Sequence, residues 1–399
     1  MIASVAGKKR EDIEEDQLGG FKCFKRVSKL LEPLHKSACE RDRAHNRKLH
    51  MDQYMLLLLM FMFNPICSSL RALQQASGLK KVQRMLGSPR ASLGSLSEAA
   101  RVFDSSLAKA IIGQLAGELG SMPHDPRLDD IGAILTLMDG TLIQALQSMV
   151  WALWKKEHNA VKAHVQFELL KGVPVAADIT EGNGDEREML AQNLQSGRLY
   201  VLDRGYADYR LMQKTIDAQS SFVVRIKDNS VFEVLEERDL SQEALDAGVV
   251  RDAVVRLGCT RSSKALAQPL RIVQVRCTPH VKRYKISRGG PEQGETILIC
   301  TDRLDLPAEV ISLIYQQRWA VEIFFRVFKH MLGCRHLLST CKNGIEMQVY
   351  AAIIACMLIA LYTGRKPTLR TVEMLSYLMM GWADEEEVMA HIESLKKQN

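Results

Sequence analysis

Residues 131–140 read IGAILTLMDG, and residues 199–208 read LYVLDRGYAD. Each is an apolar run of strand length that ends on an aspartate, Asp139 or Asp203, followed by turn-forming residues. Unbroken apolar runs mark strands covered on both faces, and α/β proteins tend to place their sites at the carboxyl ends of such strands. Either aspartate alone is more often a strand-end cap or turn former than a site residue. Together they begin to outline a site.

Working outward, Lys162–Leu169 (KAHVQFEL) alternates, and Val173–Ile179 follows a turn at Gly172. Helix-like segments occupy Arg187–Leu194 and the stretch after Tyr206, and Phe222–Ile226 is a further strand. About seventy residues of short alternating pieces and turns come next, before strand character resumes at Thr296–Thr301 (TILICT). A helix is expected from Pro307, a favoured first-turn residue, to beyond Lys329. The order is three strands, helix, strand, helix, strand, β-rich insertion, strand, then helices. It predicts an α/β fold, a ribonuclease-H-like core interrupted by a β-rich insertion. The expected parts are a helical N-terminal region (1–125), a first core segment (126–227), the insertion (228–296), and a second core segment with C-terminal helices (297–399).

The N-terminal region reads as a basic helix at Phe21–Leu31 ending before Pro33, an apolar helix at Asp52–Phe63, and short helices separated by Gly78, Gly87–Pro89 and Gly94. Serines stand where caps are needed. The rhythm fits a helix-turn-helix reader of DNA, and equally a small bundle packed on the core.

Composition narrows the function classes. The 399 residues are 47% hydrophobic and 25% charged, the balance of a globular rather than a disordered chain. The net charge of +6, with cations crowded into residues 8–48, suits a polyanionic partner. Nine cysteines are scattered without a C-x-x-C pair and the ten histidines form no ligand motif, which argues against structural zinc and for a reduced, cytoplasmic setting. The apolar runs Met55–Phe63 and Val349–Tyr362 fall short of a membrane span, and the N-terminus lacks a signal-peptide core.

The sharpest signal is residues 314–332, IYQQRWAVEIFFRVFKHML. At about 100° per residue, Tyr315, Arg318, Glu322, Arg326 and Lys329 fall within roughly 80° of arc. Apolar residues occupy most of the rest, predicting a helix buried on most faces. A salt-bridge stripe at helical spacing would carry three cations for one carboxylate and leave positive charge uncompensated in the core. A bound polyanion removes that imbalance. Tyr315 to Lys329 would span about 21 Å, enough to follow several phosphates of a DNA strand.

The spacing Tyr315–x₂–Arg318–x₃–Glu322–x₆–Lys329 resembles the Y-R-E-K signature of family-four bacterial insertion-sequence transposases. LMDGT around Asp139 is similar to that family's first-aspartate strand and HNAVKAHVQFELLKGVPV to the following strand pair. LYVLDRGYADYRL resembles the second-aspartate motif, FVVRIKDN the strand after it, and ICTDRLDLPAEVISLIYQQRWAVEIFFRVFK the approach to the glutamate. The matches run in order from about residue 131 to 335.

The resemblance implies a DDE transposase in which Asp139, Asp203 and Glu322 bind the catalytic metal ions. It implies that Arg318 and Lys329 contact DNA phosphates and that Tyr315 supports the site; Arg326 shares their stripe. It further implies Mg²⁺, with Mn²⁺ substituting, as hard cations suit carboxylate oxygens. Two ions would activate the attacking oxygen and stabilise the leaving one, Asp139 bridging both. The implied partners are the element's terminal inverted repeats and target DNA, held by a homodimer in the bacterial cytoplasm at the nucleoid, with no small-molecule substrate and no membrane. Some members of the family flip a base against a tryptophan of the insertion to form a DNA hairpin; the insertion here contains no tryptophan, so the resemblance does not carry that step over in the same form. His158, His164, Arg204 and Arg225 are secondary candidates, read as structural or as outer phosphate contacts. Trp319 is expected to pack in the core. Competing readings are a structure-specific nuclease, a DNA-binding regulator that no longer cuts, and a membrane or scaffold role if both apolar runs are misread.

Overall fold

The computed structural model describes residues 29–35, 48–64, 67–87, 89–145, 149, 151–155, 158–258, 266, 268–276, 295–332 and 337–397. The chain divides into two compact units, Met1–Phe103 with Glu373–Asn399, and Asp104–Val372.

In the first unit the expected basic helix at 21–31 lies mostly outside the described residues, and residues 29–35 are helical past the end expected at Pro33. Helix α1 (Met51–Phe63) is apolar on every side, and Met55–Met60 are all buried. Three short helices follow, α2 (Leu70–Ala76), α3 (Lys80–Leu86) and α4 (Leu93–Val102). Ser69 and Ser92 cap α2 and α4 by accepting from Ala72 N and Ser95 N. Gly87 closes α3 in the left-handed conformation.

The second unit opens with α5 (Ser105–Glu118), which packs on α11 (Lys342–Thr363) and on strand β4. Its strands are β1 (Ile134–Gln144), β2 (Leu153–Lys155), β3 (His158–Glu168), β4 (Val173–Glu181), β5 (Arg198–Leu202), β6 (Ser221–Ile226), β7 (Phe232–Glu237), β8 (Val249–Leu257), β9 (Leu270–Arg276) and β10 (Thr296–Thr301). The chain pairs β4 with β3, then runs β3-β1-β5-β6-β10-β9-β8-β7 across one sheet, with β2 a short hairpin partner of β3. β3 is antiparallel to β1 and β4, whereas β1, β5 and β6 are mutually parallel. That order and those directions form a ribonuclease-H-like core.

Helices α6 (Glu186–Gln192) and α7 (Tyr209–Asp217) make the crossovers between the parallel strands. Their apolar residues Leu190, Leu211 and Met212 join Tyr200, Leu202, Phe222 and Val224 in one buried cluster. The expected β-rich insertion is present and continues the core sheet: β9 pairs with β10, and β7 and β8, joined by α8 (Gln242–Asp246), extend it to the edge. Within it the buried Arg271 forms two 2.7 Å hydrogen bonds to Asp252. Its remaining nitrogen donates to Leu306 O and, at 3.5 Å, to Arg303 O, fastening the insertion to the loop that leads into α9 (Ala308–Gln316).

Three sequence expectations change. β1 does not stop at Asp139 but runs on to Gln144, because β3 continues to pair with it through Gln144↔Ala160. The helix expected from Pro307 beyond Lys329 is two, α9 and α10 (Trp319–Met331), separated where Gln317 N is shared between Leu313 O and Ile314 O and where Arg318 and Ala320 bond three residues back. α10 is also less covered than its composition suggests: Trp319 is 38% and Ile323 50% exposed. Its other face is core, with the Phe324 ring 5.5 Å from that of Phe167 on β3.

α11 has 22 residues, more than the run Val349–Tyr362 that marks it in the sequence, and is long and apolar enough to cross a membrane. In this fold 83% of its most apolar window is buried inside the protein, under α5, α10 and β4. Helices α12 (Leu369–Met380) and α13 (Glu385–Lys397) complete the chain.

Candidate active site

The two aspartates meet through strand register. β1 and β5 pair from Ile134↔Arg198 to Leu137↔Val201. Continuing that register by two residues brings Asp139 level with Asp203. β5 and β6 pair from Leu199↔Ser221 to Leu202↔Val224, so the next residue of β6, Arg225, is level with Asp203 on its other side. Residues level on adjacent parallel strands share a face and stand about 5 Å apart. By register, then, Asp139 and Arg225 fall level with Asp203, which stands one residue past the end of β5.

Just there β5 ends. Asp203 leaves the strand and accepts from Gly205 N at 2.7 Å, capping a 3₁₀ turn over Arg204–Tyr206. A Cβ on Gly205 would lie 2.9 Å from that same carboxylate oxygen, so a glycine lets the amide close on it. β1 runs on beside β3 past the point where its parallel partner turns away.

The tightened turn between α9 and α10 faces these residues. Arg318 donates to Glu322 Oε1 at 2.8 Å and to the Tyr315 hydroxyl. Its charge also acts on Asp139, while the Tyr315 hydroxyl feels Arg225 and Asp203. Burial raises the Tyr315 hydroxyl above the usual phenol range, so it stays protonated at neutral pH. Of the residues singled out from sequence, the fold therefore gathers Asp139, Asp203, Tyr315, Arg318 and Arg225. Glu322 reaches this group through Arg318. Arg326 is exposed and Lys329 half-buried, farther along α10.

Asp139 is pushed up to about 7, first by burial and then by the neighbouring charges of Asp203 and Glu186; the Gly140 N–H at 2.7 Å and Arg318 pull the other way. Glu186, at the start of α6, does not stand out from the sequence. A Cβ on Gly140 would sit 2.6 Å from Glu186 Oε1, so this carboxylate lies directly on the backbone beside Asp139. Lys162 of β3 holds it at 3.2 Å and donates to Gly184 O at 3.0 Å. Arg187 donates to Gly205 O at 2.7 Å, tying the same helix to the Asp203 turn. The Tyr206 hydroxyl is buried without a hydrogen-bond partner, among the charges of Glu186, Asp139, Asp203 and Asp185. The one sequence signal for this corner is Asp185, whose side chain caps α6 through Arg187 N and Glu188 N.

The secondary candidates separate. His164 is buried on β3 with Nε2 2.8 Å from Thr180 Oγ1, a structural position, and burial lowers it to about 4. His158 and Arg204 are exposed. The Arg225 Nε is buried with no hydrogen-bond partner, beside the aspartates. Trp319 is not in the core; Arg318 lies over its ring at 5.2 Å.

Among the described residues no three His, Cys, Asp or Glu side chains form a ready-made metal cage. The donor chemistry nevertheless fits a hard divalent cation. The carboxylates of Asp203 and Glu186 act on Asp139, and the unpartnered Tyr206 hydroxyl feels all three; such crowding of like charge is relieved by a cation. Glu322 is held apart from these acids by its bond to Arg318.

Fold and site together define a ribonuclease-H-like α/β protein with an acidic centre at the ends of its parallel strands. A family model described as a transposase DDE domain matches residues 131–358, more than half of the chain, and the chain belongs to that family. It is 30% identical over 249 residues to the putative transposase y4zB of Sinorhizobium fredii. It is 28% identical over 227 residues to a probable transposase for insertion sequence element IS5377 of Geobacillus stearothermophilus. It is 22% identical over 229 residues to a putative transposase for element IS4SA of Synechocystis. These matches cover 62%, 56% and 56% of this chain and 65%, 55% and 59% of the relatives, so the chain spans less than two thirds of each relative's length. Among solved structures, the cryo-EM piggyBac transposase synaptic complex with hairpin DNA superposes with a TM-score of 0.43 at 11% identity, over 93% of this chain and 84% of that one.

Proposed function

We propose that this protein is the transposase of a bacterial insertion sequence, cutting the element's ends and joining them to target DNA. The observation that carries the reading is the level pair Asp139 and Asp203, faced by Tyr315 and Arg318 and, through Arg318, by Glu322. Asp139, Asp203 and Glu322 are the residues that would hold two divalent ions, Mg²⁺ or in its place Mn²⁺. Bound there, the ions supply activation of the attacking oxygen and stabilisation of the departing one.

The protein's own groups do the rest. Arg318, Arg326 and Lys329 lie along one helix and hold successive phosphates of the strand. A phosphate that engages the Arg318 guanidinium competes with Glu322 for it, and so frees that carboxylate to turn toward the aspartates. Tyr315, kept protonated by burial, orients Arg318 through its hydroxyl. The helices of the first unit read the terminal repeats, and two copies bring the two ends together in the bacterial cytoplasm.

The test uses purified protein, a DNA fragment bearing the terminal inverted repeat, target DNA and Mg²⁺ or Mn²⁺. Cleavage at the repeat end and a joined product are expected, and both vanish in Asp139→Ala and Glu322→Ala. Cleavage that persists in either variant overturns the triad. Nicking without a joined product would make the chain a nuclease instead.

A further inference from the structure

Glu186 belongs to none of the segments that suggested a transposase, yet its carboxylate lies directly against the backbone next to Asp139. Its Oε1 would touch a Cβ on Gly140 at 2.6 Å, and its charge is felt by both Asp139 and the Tyr206 hydroxyl. Two features argue against a plain surface ion pair. The carboxylate is half-buried against a glycine, where any other residue would push it away. The Tyr206 hydroxyl, 1% exposed at the residue level, also has no hydrogen-bond partner although it feels the charges of four carboxylates. A buried hydroxyl left unpaired is costly, so its place among these acids points to a ligand they share.

We propose that Glu186 is a fourth carboxylate of the acidic centre, a divalent-cation ligand beside Asp139, with Lys162 occupying the cation's place in its absence and the Tyr206 hydroxyl donating to a water or carboxylate of the filled site. The inference rests on the metal-binding reading of Asp139. Lys162 Nζ, 3.2 Å from Glu186 and 3.0 Å from Gly184 O, is the substitute charge. A cation arriving at Glu186 displaces it toward that carbonyl. Arg187, bonded to Gly205 O, keeps α6 anchored to the Asp203 turn while this happens.

The experiment is Mn²⁺ binding to the full-length, chelator-treated protein at neutral pH, followed by the electron paramagnetic resonance of free Mn²⁺. Thermal melts serve as the check on folding. Glu186→Gln is expected to weaken binding by about 10- to 100-fold, the range seen when groups supporting a metal site are removed. Lys162→Met, which removes the competing ammonium, is expected to tighten binding several-fold, an effect that a merely structural ion pair would not produce. Glu188→Gln, exposed on the same helix, should bind as the wild type does. Wild-type affinity in both Glu186→Gln and Lys162→Met, with binding abolished in Asp139→Asn, overturns the role of Glu186 and leaves the underlying reading intact. Wild-type affinity in Asp139→Asn overturns that reading itself. If Glu186→Gln fails to fold, Lys162→Met decides alone: unchanged or weaker binding sinks the proposal.

Discussion

Within the insertion Asp252 and Arg271 form a buried charge pair that orients Arg271 toward the Leu306 carbonyl, and Asp252→Asn tests how much depends on it. Asp252 and Arg271 side chains are 4% and 3% exposed, and they meet in two parallel 2.7 Å bonds. The amide keeps the shape of the carboxylate but removes its charge, leaving the guanidinium buried without a counter-ion. Breaking one partner of a buried pair costs about 3–5 kcal/mol. A domain is stable by only about 5–15 kcal/mol in all. At about 2–4 °C per kcal/mol for a domain of this size, the melting temperature should fall by roughly 6–20 °C. Replacing both residues, as Asp252→Leu with Arg271→Met, removes the stranded charge together with its partner and should recover most of the stability. The assay is a double-mutant cycle of thermal and urea melts on the full-length protein. A single variant melting within about 2 °C of the wild type, or a double variant no better than the single, refutes the reasoning.

Three further outcomes follow from the same structure. Lys329→Ala or Arg326→Ala should weaken binding to all DNA sequences alike and lower the slope of log affinity against log salt by about one for each phosphate no longer neutralised, measured by fluorescence anisotropy across a salt series; an unchanged slope removes that residue from the DNA face. Gly140→Ala sets a methyl group 2.6 Å from Glu186 Oε1 and 3.3 Å from Lys162 Cδ; cleavage should drop at least tenfold while stability falls by only about 1–3 kcal/mol. His164 is held at about 4 by burial and then by the Lys162 charge, against an ordinary 6.5. The unfolded chain therefore binds the extra proton first. The stability it contributes is complete above pH 6.5, declines as pH falls toward 4, and changes no further below that. Urea melts over this range should show the acid slope flattened in His164→Gln.

What could be read in advance depended on how local the signal was. The runs that end on Asp139 and Asp203 announced themselves, because a doubly covered strand must be apolar throughout and a charge at its end breaks the pattern. That the two aspartates are level could not be read, since it follows from the pairing of β1 with β5, whose partners stand 64 residues apart in the chain. The insertion's β character was legible from alternation. Its continuity with the core sheet was not, because alternation says which face of a strand is buried and never which strand lies beside it. Arg318 and Glu322 do meet one turn apart, as their helical spacing implies, but the cover around the helix is uneven. Trp319 and Ile323 are exposed because neighbours cover only one side of α10. Glu186 escaped notice because nothing adjoining it in sequence marks it; only the approach of α6 to Gly140 does.

Charge on α10 is balanced more locally than its sequence implies. Three cations and one carboxylate on a wholly buried helix would have demanded a polyanion. Arg326, however, is exposed and needs no compensation. The imbalance concentrates on Arg318, which is only 16% exposed in its side chain and lies between Glu322, Tyr315 and the field of Asp139. Seen from the acids, the same residue answers a different need. Asp139 is crowded by Asp203 and Glu186, and Arg318 is the cation that offsets them. Lys162 does the like for Glu186 on the far side. Two protein cations thus hold an acidic centre that would otherwise repel itself. On the proposed function, both are the groups that divalent ions would relieve: Arg318 would pass to a phosphate and Lys162 to the Gly184 carbonyl. On that reading the pairing of Glu322 with Arg318 belongs to the same arrangement, one that lets the centre fold before any ion or DNA is bound and holds the proposed third carboxylate apart from the two aspartates.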